Sequence, residues 1–490
     1  MKKYILKTLG VAAVLMMVSC EDATEIVQES ELNEETAFQT VADLQSGLNG
    51  AYAAYGPDFG GNGTGDAIYT NAILSDNIKA GAASNGQGAQ DYSYFVDIAG
   101  SSPSNDIWAN RYATINRVNR VLRAMGNLTF TVQSDITEVN HIKGQLLALR
   151  ALAHFDLFEY YTIDYQDADA LSIINVDFVP LTSDAFERNT VAQTVAFING
   201  DLDEANSLLD PSNATVANPI FINRDFVKAM KVKLAIDAGD FGTDILALTN
   251  ELMNDYPLAN QIQYLTMFLD ADNTEAIFKL ARVNGDSSVG LLFYFNQVMP
   301  SDGFLEMSNQ LFNELSELPG DIRATVNLAP TSTVVGVDDP ANELLINKYP
   351  GGAGGLLVND IKLIRSSEIQ LLKAEIQARN GMLTDAAQTV QDLRNARTGA
   401  VSPATAYASL NVALTDILDE RRKEFCFEGK RFLDLKRIGA DIGVGVSRNP
   451  VDCSSFNAPC DLPVNDFRFT LGIPQAELDG NNTITQNTGY

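Results

Sequence analysis

The sequence predicts a mostly α-helical protein built from paired helices, with long irregular loops and a few short strands. Three observations predict this class. Apolar residues recur at helical spacing in several long segments. Glycines such as Gly239 and Gly381 end or separate those segments. Residues 56–106 and 270–360 lack this periodicity, and both are long enough to be functional loops on a helical frame.

The helices follow one another along the chain. Apolar spacing predicts them over 38–55, 108–125, 142–160, 195–209, 225–238, 361–380 and 383–397. Short strands are predicted at 276–280 and 344–349. The helix pairs are similar to tetratricopeptide packing, although the 34-residue signature of that repeat is absent.

The N-terminus reads as a secretory signal. Lys2 and Lys3 precede an apolar run over 4–18, and Cys20 follows. This arrangement resembles a bacterial lipoprotein signal, in which residues 1–19 are removed and Cys20 carries the lipid. An ordinary signal peptide and a membrane-spanning helix are the alternatives, and the run is short for a span. Residues 20–35 are acidic and polar, which is typical of a flexible tether.

The composition is that of an acidic globular protein. The chain has 490 residues, 46% of them hydrophobic, and a formal net charge of −29. Removal of the three lysines in the signal makes the charge more negative. Such a field repels phosphate backbones, so nucleic acid is excluded as a partner.

The other three cysteines lie near the C-terminus. Cys453 and Cys460 are in a polar segment and could close a small disulfide loop in an oxidising compartment. Cys426 lies between two phenylalanines and is predicted to be a buried thiol.

The sequence carries no sign of a metal site or a cofactor site. His141 and His154 are its only histidines, and both fall in one predicted helix. Phosphate-binding glycine loops and nucleophile elbows are absent from it. Four residues suggest a calcium loop but lack the spacing of an EF-hand, so a loop leading into the 276–280 strand is favoured: Asp270, Asp272, Asn273 and Glu275.

The most distinctive motif is ILDERRKEFCFEGKRFLDLKR, at residues 417–437. Its apolar residues can share one inner face, and its charges alternate in sign, which favours ion pairs within and between turns. A catalytic interpretation would take Glu424 and Glu428 as an acid/base pair. A charge-paired scaffold is favoured, because both lie on one helix among arginines.

This motif closely resembles the signature of the SusD/RagB family, the surface nutrient-binding lipoproteins of Bacteroidetes. The segment Ile473-Pro474-Gln475, residues 365–378 and the region around Trp108 agree with the same family. One departure is Gly472, where the family usually has proline. The resemblance covers essentially the whole chain.

The resemblance implies a protein that captures nutrients and is not an enzyme. It implies four tetratricopeptide-like helix pairs in a body over 36–490, with an N-terminal part to about 270 and a C-terminal part from about 271. It further implies a lid on a SusC-like TonB-dependent transporter at the outer membrane, exposed at the cell surface. The ligand would be an oligosaccharide or, as in the RagB branch, a peptide.

Sugar binding requires flat aromatic rings and planar amides or carboxylates. Within the two long loops we therefore expect the ligand-binding residues to be Asp76, Asn77, Tyr92, Tyr94, Phe95, Tyr294, Asn296 and Gln297. Each aromatic residue could instead anchor its loop to the core. The only tryptophan, Trp108, is predicted to be structural, which favours a small oligosaccharide or a peptide. A lipid-anchored hydrolase of the same compartment is the alternative from another class.

Overall fold

The computed structural model of the protein describes residues 37–56, 67–100, 102–211, 218–294, 303–352 and 354–490. The predicted signal at 1–19, Cys20 and the tether lie outside these residues. The helices are α1 (Val41–Tyr55), α2 (Ala67–Ile73), α3 (Ala89–Tyr92), α4 (Pro103–Met125), α5 (Gln133–Tyr161), α6 (Val191–Leu208), α7 (Arg224–Asp237), α8 (Thr243–Asp255), α9 (Gln261–Met267), α10 (Asn309–Ser316), α11 (Ile322–Asn327), α12 (Ser366–Arg379), α13 (Leu383–Thr398), α14 (Leu410–Phe425), α15 (Arg431–Asp434), α16 (Ala440–Ile442), α17 (Pro450–Ser454) and α18 (Gln475–Gly480). The strands are β1 (Ile78–Ala80), β2 (Ala276–Leu280), β3 (Leu305–Met307), β4 (Gly351–Gly352), β5 (Gly355–Leu356), β6 (Ile361–Arg365), β7 (Val446–Ser447) and β8 (Asp461–Leu462).

The long helices pack as consecutive neighbours, which confirms the predicted mostly helical class. From α4 to α8, each helix contacts the next one in the chain, and α12 contacts α13 in the same way. The stack then continues from α8 directly to α12. Residues 256–365 therefore leave the helical stack and return to it.

Local capping groups start several of these helices. Thr40 accepts a hydrogen bond from the backbone of Asp43 and donates its own backbone N–H to the Asp43 carboxylate, which caps α1. The predicted cap Asn223 accepts from the backbone N–H of Phe226 at 2.9 Å. Gly239 has a φ of +79° and follows the end of α7, as its position in the sequence predicted. Among the described helices, none has the length and apolar character needed to cross a bilayer.

Short antiparallel strand pairs join distant parts of the chain. β1 pairs with β3, with Ile78 opposite Met307, and β2 pairs with β6, with Ala276 opposite Arg365. The predicted strand at 276–280 is thereby confirmed. The β1–β3 pair attaches the middle of the 256–365 segment to residues 78–80, and the β2–β6 pair joins an early part of that segment to its end.

Two predictions about secondary structure were wrong. The helix predicted over 361–380 begins only at Ser366, because the preceding five residues pair with β2 as β6. The strand predicted over 344–349 is not formed, and Ile346 makes only an isolated bridge to Leu328. Both errors concern short apolar runs, whose conformation is decided by partners far away in the sequence.

Two glutamates of the 417–437 motif, with three residues from elsewhere in the chain, form what we call the ionic cluster: Glu275, Arg365, Arg397, Glu424 and Glu428. Arg365 contacts Glu424 at 3.0 Å, Glu428 at 2.8 Å and Glu275 at 2.7 Å. Arg397 contacts Glu424 at 2.8 Å and Glu275 at 2.6 Å. Both arginines are essentially inaccessible. The cluster thus fastens the start of β2, the end of β6, α13 and α14 together.

The same helix makes a second set of buried ion pairs. Burial alone would raise the pKa of Glu420, but the guanidiniums of Arg323 and Arg394 lower it to about 2. In Glu424 the opposing effect of Arg397 and Arg365 likewise outweighs burial and lowers the pKa. Carboxylates held ionised by several arginines are poor general acids.

Candidate ligand-binding surface

The two segments that carry the predicted ligand residues lie side by side. β1 and β3 are paired, and beyond them the backbone N–H of Gly81 donates to Phe304 at 2.8 Å. Ala83 donates to Gly303 at 3.2 Å. A Cβ atom on Gly81 would lie only 2.2 Å from the Gly303 carbonyl oxygen, so this close approach requires glycine.

Asp76 and Asn77 are buried and do not reach an open surface. Arg431 contacts the Asp76 carboxylate at 2.8 Å, and Arg422 donates to the Asn77 side chain at 3.0 Å. Burial alone would raise the pKa of Asp76, but these two arginines lower it. Both residues therefore hold the start of β1 against the 417–437 motif.

Tyr92 and Tyr94 are also buried, beneath Arg448. The guanidinium of Arg448 lies 3.6 Å from the centre of the Tyr92 ring and 4.5 Å from that of Tyr94. It donates to the backbone carbonyls of Ser75 at 2.8 Å and Ile73 at 3.0 Å. The Tyr92 hydroxyl donates to Ile78 at 3.2 Å. The two tyrosines anchor the loop to the core, which was the alternative considered for each of them.

The predicted disulfide between Cys453 and Cys460 is present, and the turn that it closes contacts this loop. Within the closed turn, Phe456 packs on Tyr92 with ring centres 4.7 Å apart. Ser455, in the same turn, accepts a hydrogen bond from the backbone of Ala80 at 3.0 Å. The disulfide turn is thus part of the foundation of the loop.

Tyr294 is buried as well, and its hydroxyl donates to the Ile346 carbonyl at 2.7 Å. Tyr294 was expected at the ligand surface, but its side chain is buried like that of its neighbour Phe293. Asn296 and Gln297 lie outside the described residues.

One predicted residue, Phe95, is prominently exposed. The residue is 69% accessible to solvent. The backbone N–H of Phe95 donates to Gln90 at 3.0 Å, which fixes the end of the loop. Three exposed amides lie on the same loop, and with Phe95 they define what we call the 85–95 surface: Asn85, Gln87, Gln90 and Phe95.

The three amides were missed by the sequence reasoning. Their signal was the alternation of amides with glycines at 85–90, which permits a tight turn. Asn85, Gly86 and Gly88 all have positive φ, and Gln87 donates to Ser84 at 2.8 Å. A flat apolar ring beside amide donors and acceptors can hold a polar ligand that has one apolar face.

Asp91 adds a titratable group beneath this surface. Burial raises its pKa to about 6, although the Tyr69 hydroxyl donates to it at 3.1 Å and opposes the shift. The ionisation of Asp91 therefore falls between acidic and neutral pH.

The residues considered for calcium have internal partners. Asp270 pairs with Lys362 and accepts from Asn359, and Glu275 belongs to the ionic cluster. Among the described residues, no group of three His, Cys, Asp or Glu is arranged to hold a metal ion. His154 is buried between the Arg150 carbonyl and the Val176 N–H, and burial lowers its pKa to about 3.

Comparison with known proteins identifies the chain. A family model described as "SusD family" matches residues 351–490, and one described as "Starch-binding associating with outer membrane" matches residues 27–219. SusD-like protein P2 of Formosa agariphila is 24% identical over the full length of both chains.

Solved structures agree with these matches in fold. A SusD superfamily protein from Bacteroides thetaiotaomicron superimposes with a TM-score of 0.77 at 23% identity, covering 91% of this chain and 99% of that one. A SusD-like carbohydrate binding protein from Bacteroides vulgatus gives 0.74 at 20% identity, covering 91% and 98%. The chain belongs to the SusD/RagB family.

Proposed function

We propose that this protein binds oligosaccharide nutrients at the 85–95 surface and delivers them to a SusC-like TonB-dependent transporter. The observation that carries the proposal is the exposed ring of Phe95 on the same loop as three exposed amides, a loop that the core holds in place. Relatives named for starch and carbohydrate binding support the same ligand class.

The chemistry of the surface favours a short, uncharged glycan. The face of a pyranose ring carries C–H groups that pack on a flat aromatic ring, while its hydroxyls pair with amides. Trp108 is buried and donates to Glu477 at 3.2 Å, so it offers no platform. The net charge of −29 disfavours a polyanionic ligand.

We further propose that the mature protein is anchored in the outer membrane by a lipid on Cys20 and exposed at the cell surface. In this arrangement residues 1–19 are the signal, 20–35 are the tether and 36–490 form the body, with parts that meet near residue 270. The sequence pattern around Cys20 and the family support this arrangement.

Binding without catalysis completes the proposal. Glu424 and Glu428, the pair considered for acid/base chemistry, are engaged by buried arginines. A peptide-binding role, as in the RagB branch, is the other candidate, because Phe95 and amides also suit an extended peptide.

The test is calorimetric titration of the mature protein with neutral oligosaccharides and peptides, combined with an assay for released products. We expect saturable binding of an oligosaccharide, no turnover, and loss of binding at the 85–95 surface in Phe95→Ala. The matched control is Phe178→Ala, since Phe178 is also exposed and lies outside this loop. Hydrolysis would refute the binding role, and unchanged affinity in Phe95→Ala would refute the location. Selective saturation by peptides would favour the RagB-like role.

A further inference from the structure

A cleft lies on the helical stack. The residues that line it are far in sequence from the 85–95 surface. It has a volume of about 360 Å³ and opens between α1, α5 and the segment that precedes α7. Its lining combines one aromatic ring with amide, imidazole and carboxylate side chains: Phe221, Gln145, Gln45, Asn218, His141 and Glu138.

The base of the cleft is held by Tyr52. The Tyr52 hydroxyl donates to Oε1 of Gln145 at 2.8 Å and accepts from the backbone N–H of Ile222 at 3.0 Å. Gln145 is only 3% exposed. Because its carbonyl oxygen is used in this way, its amide Nε2 is left as a donor without a hydrogen-bond partner among the described residues. A buried donor that lines a cleft is available to a ligand there.

Phe221 forms the apolar wall. Its ring meets Tyr52 edge-on, with centres 6.3 Å apart and planes at 68°, and its side chain is 41% exposed. Tyr52 thus supports the ring from one side while part of Phe221 remains open.

This lining suits a small neutral sugar better than an anion or a metal. The volume is at the lower end of the roughly 300–1,000 Å³ typical of small-molecule sites. Glu138 is exposed at the rim, and a single carboxylate repels anions without making a cation site. A flat ring, amides and a buried N–H donor match the C–H face and the hydroxyls of one or two sugar rings.

We propose that this cleft is a second sugar-binding site, which takes a mono- or disaccharide unit of a neutral glycan. The inference rests on the proposed function, from which it takes the ligand class. It adds a separate location, built on the helical stack and not on residues 81–100, the loop that carries the 85–95 surface and that we call the 81–100 loop.

The experiment is calorimetry of the mature chain with maltotriose, cellotriose, laminaritriose and mannotriose, which are short probes. We expect two sites per chain in the unmodified protein and one in Phe95→Ala. Phe221→Ala should weaken the second site by about threefold to tenfold. Phe178→Ala is the matched control, because Phe178 is 42% exposed and also contacts one aromatic ring, that of Phe186.

A further variant tests the same site if Phe221→Ala fails to fold. Gln145→Glu keeps the acceptor for Tyr52 but removes the donor, so it should weaken the same site. A single site that Phe95→Ala abolishes and Phe221→Ala leaves unchanged would overturn this inference while the proposed function stands. Absence of any binding in the unmodified protein would overturn both.

Discussion

The 417–437 motif and the 81–100 loop differ in how far their sequence is recognisable and in how far their side chains are exposed. The motif is the most recognisable part of the sequence, yet Glu420, Arg421 and Glu424 are buried in ion pairs. The loop carries no motif and exposes Phe95. The motif therefore belongs to the scaffold, whereas the proposed ligand contacts come from side chains outside it.

This comparison predicts the largest loss of stability at Glu424. Glu424→Gln removes the charge that Arg365 and Arg397 share inside the protein, and leaves buried guanidiniums with too few counter-charges. We expect a loss of about 3–5 kcal/mol in the free energy of unfolding, measured by urea denaturation. Glu204→Gln is the control, because its pair with Lys143 is exposed and should contribute at most about 1 kcal/mol. Equal losses in both variants would contradict the scaffold role.

Removal of the disulfide should have an intermediate effect on stability and a secondary effect on binding. Cys453 and Cys460 close a short loop, so the double serine variant should lose about 2 kcal/mol in urea denaturation. Because Phe456 would no longer be held against Tyr92, binding at the 85–95 surface should also weaken. Full affinity in the double variant would show that the turn does not support the loop.

Asp91 should give a smaller effect that depends on pH. Its pKa is about 6 in the folded protein and near 3.8 in the unfolded chain, so folding is favoured below pH 3.8 and this contribution is lost as the pH rises through 6. Asp91→Asn removes the cost of a buried carboxylate. The full shift corresponds to about 3 kcal/mol. Because solvent screens this half-buried carboxylate, we expect Asp91→Asn to raise stability at pH 8, relative to its effect at pH 4, by roughly 1–2 kcal/mol in thermal or urea unfolding. If the stability of Asp91→Asn differed from that of the unmodified protein by the same amount at pH 4 and at pH 8, the raised pKa would be contradicted.

Phe95→Ala should change stability least, by less than about 0.5 kcal/mol, because the side chain is 69% exposed. Binding at the 85–95 surface should nevertheless be lost. Unfolding and calorimetry on the same preparation separate the two effects. A large loss of stability would place Phe95 with the scaffold and remove the distinction between the two regions.

Much of the fold was predictable because wide apolar stripes commit long segments to helices. The first five residues of the predicted 361–380 helix escaped this reasoning, since β6 depends on pairing with β2. In the same way, the sequence could indicate a long loop as a candidate surface more readily than which of its side chains are exposed. Tyr92 is buried through Arg448, which donates to its carbonyl from 356 residues away in the sequence. No local pattern reports such a contact.

The 81–100 loop depends on Arg448 and on the disulfide turn, and this dependence has a consequence for the order in which parts of the chain fold. In the series from α4 to α8, each helix contacts the next one along the chain. Such contacts between neighbouring segments can form early during folding. The supports of the loop come from residues 448–460, near the end of the chain. The proposed capture surface therefore matures last, after nearly the whole polypeptide has been made, and a chain cut short before Arg448 would keep many of its helices but lack a finished surface.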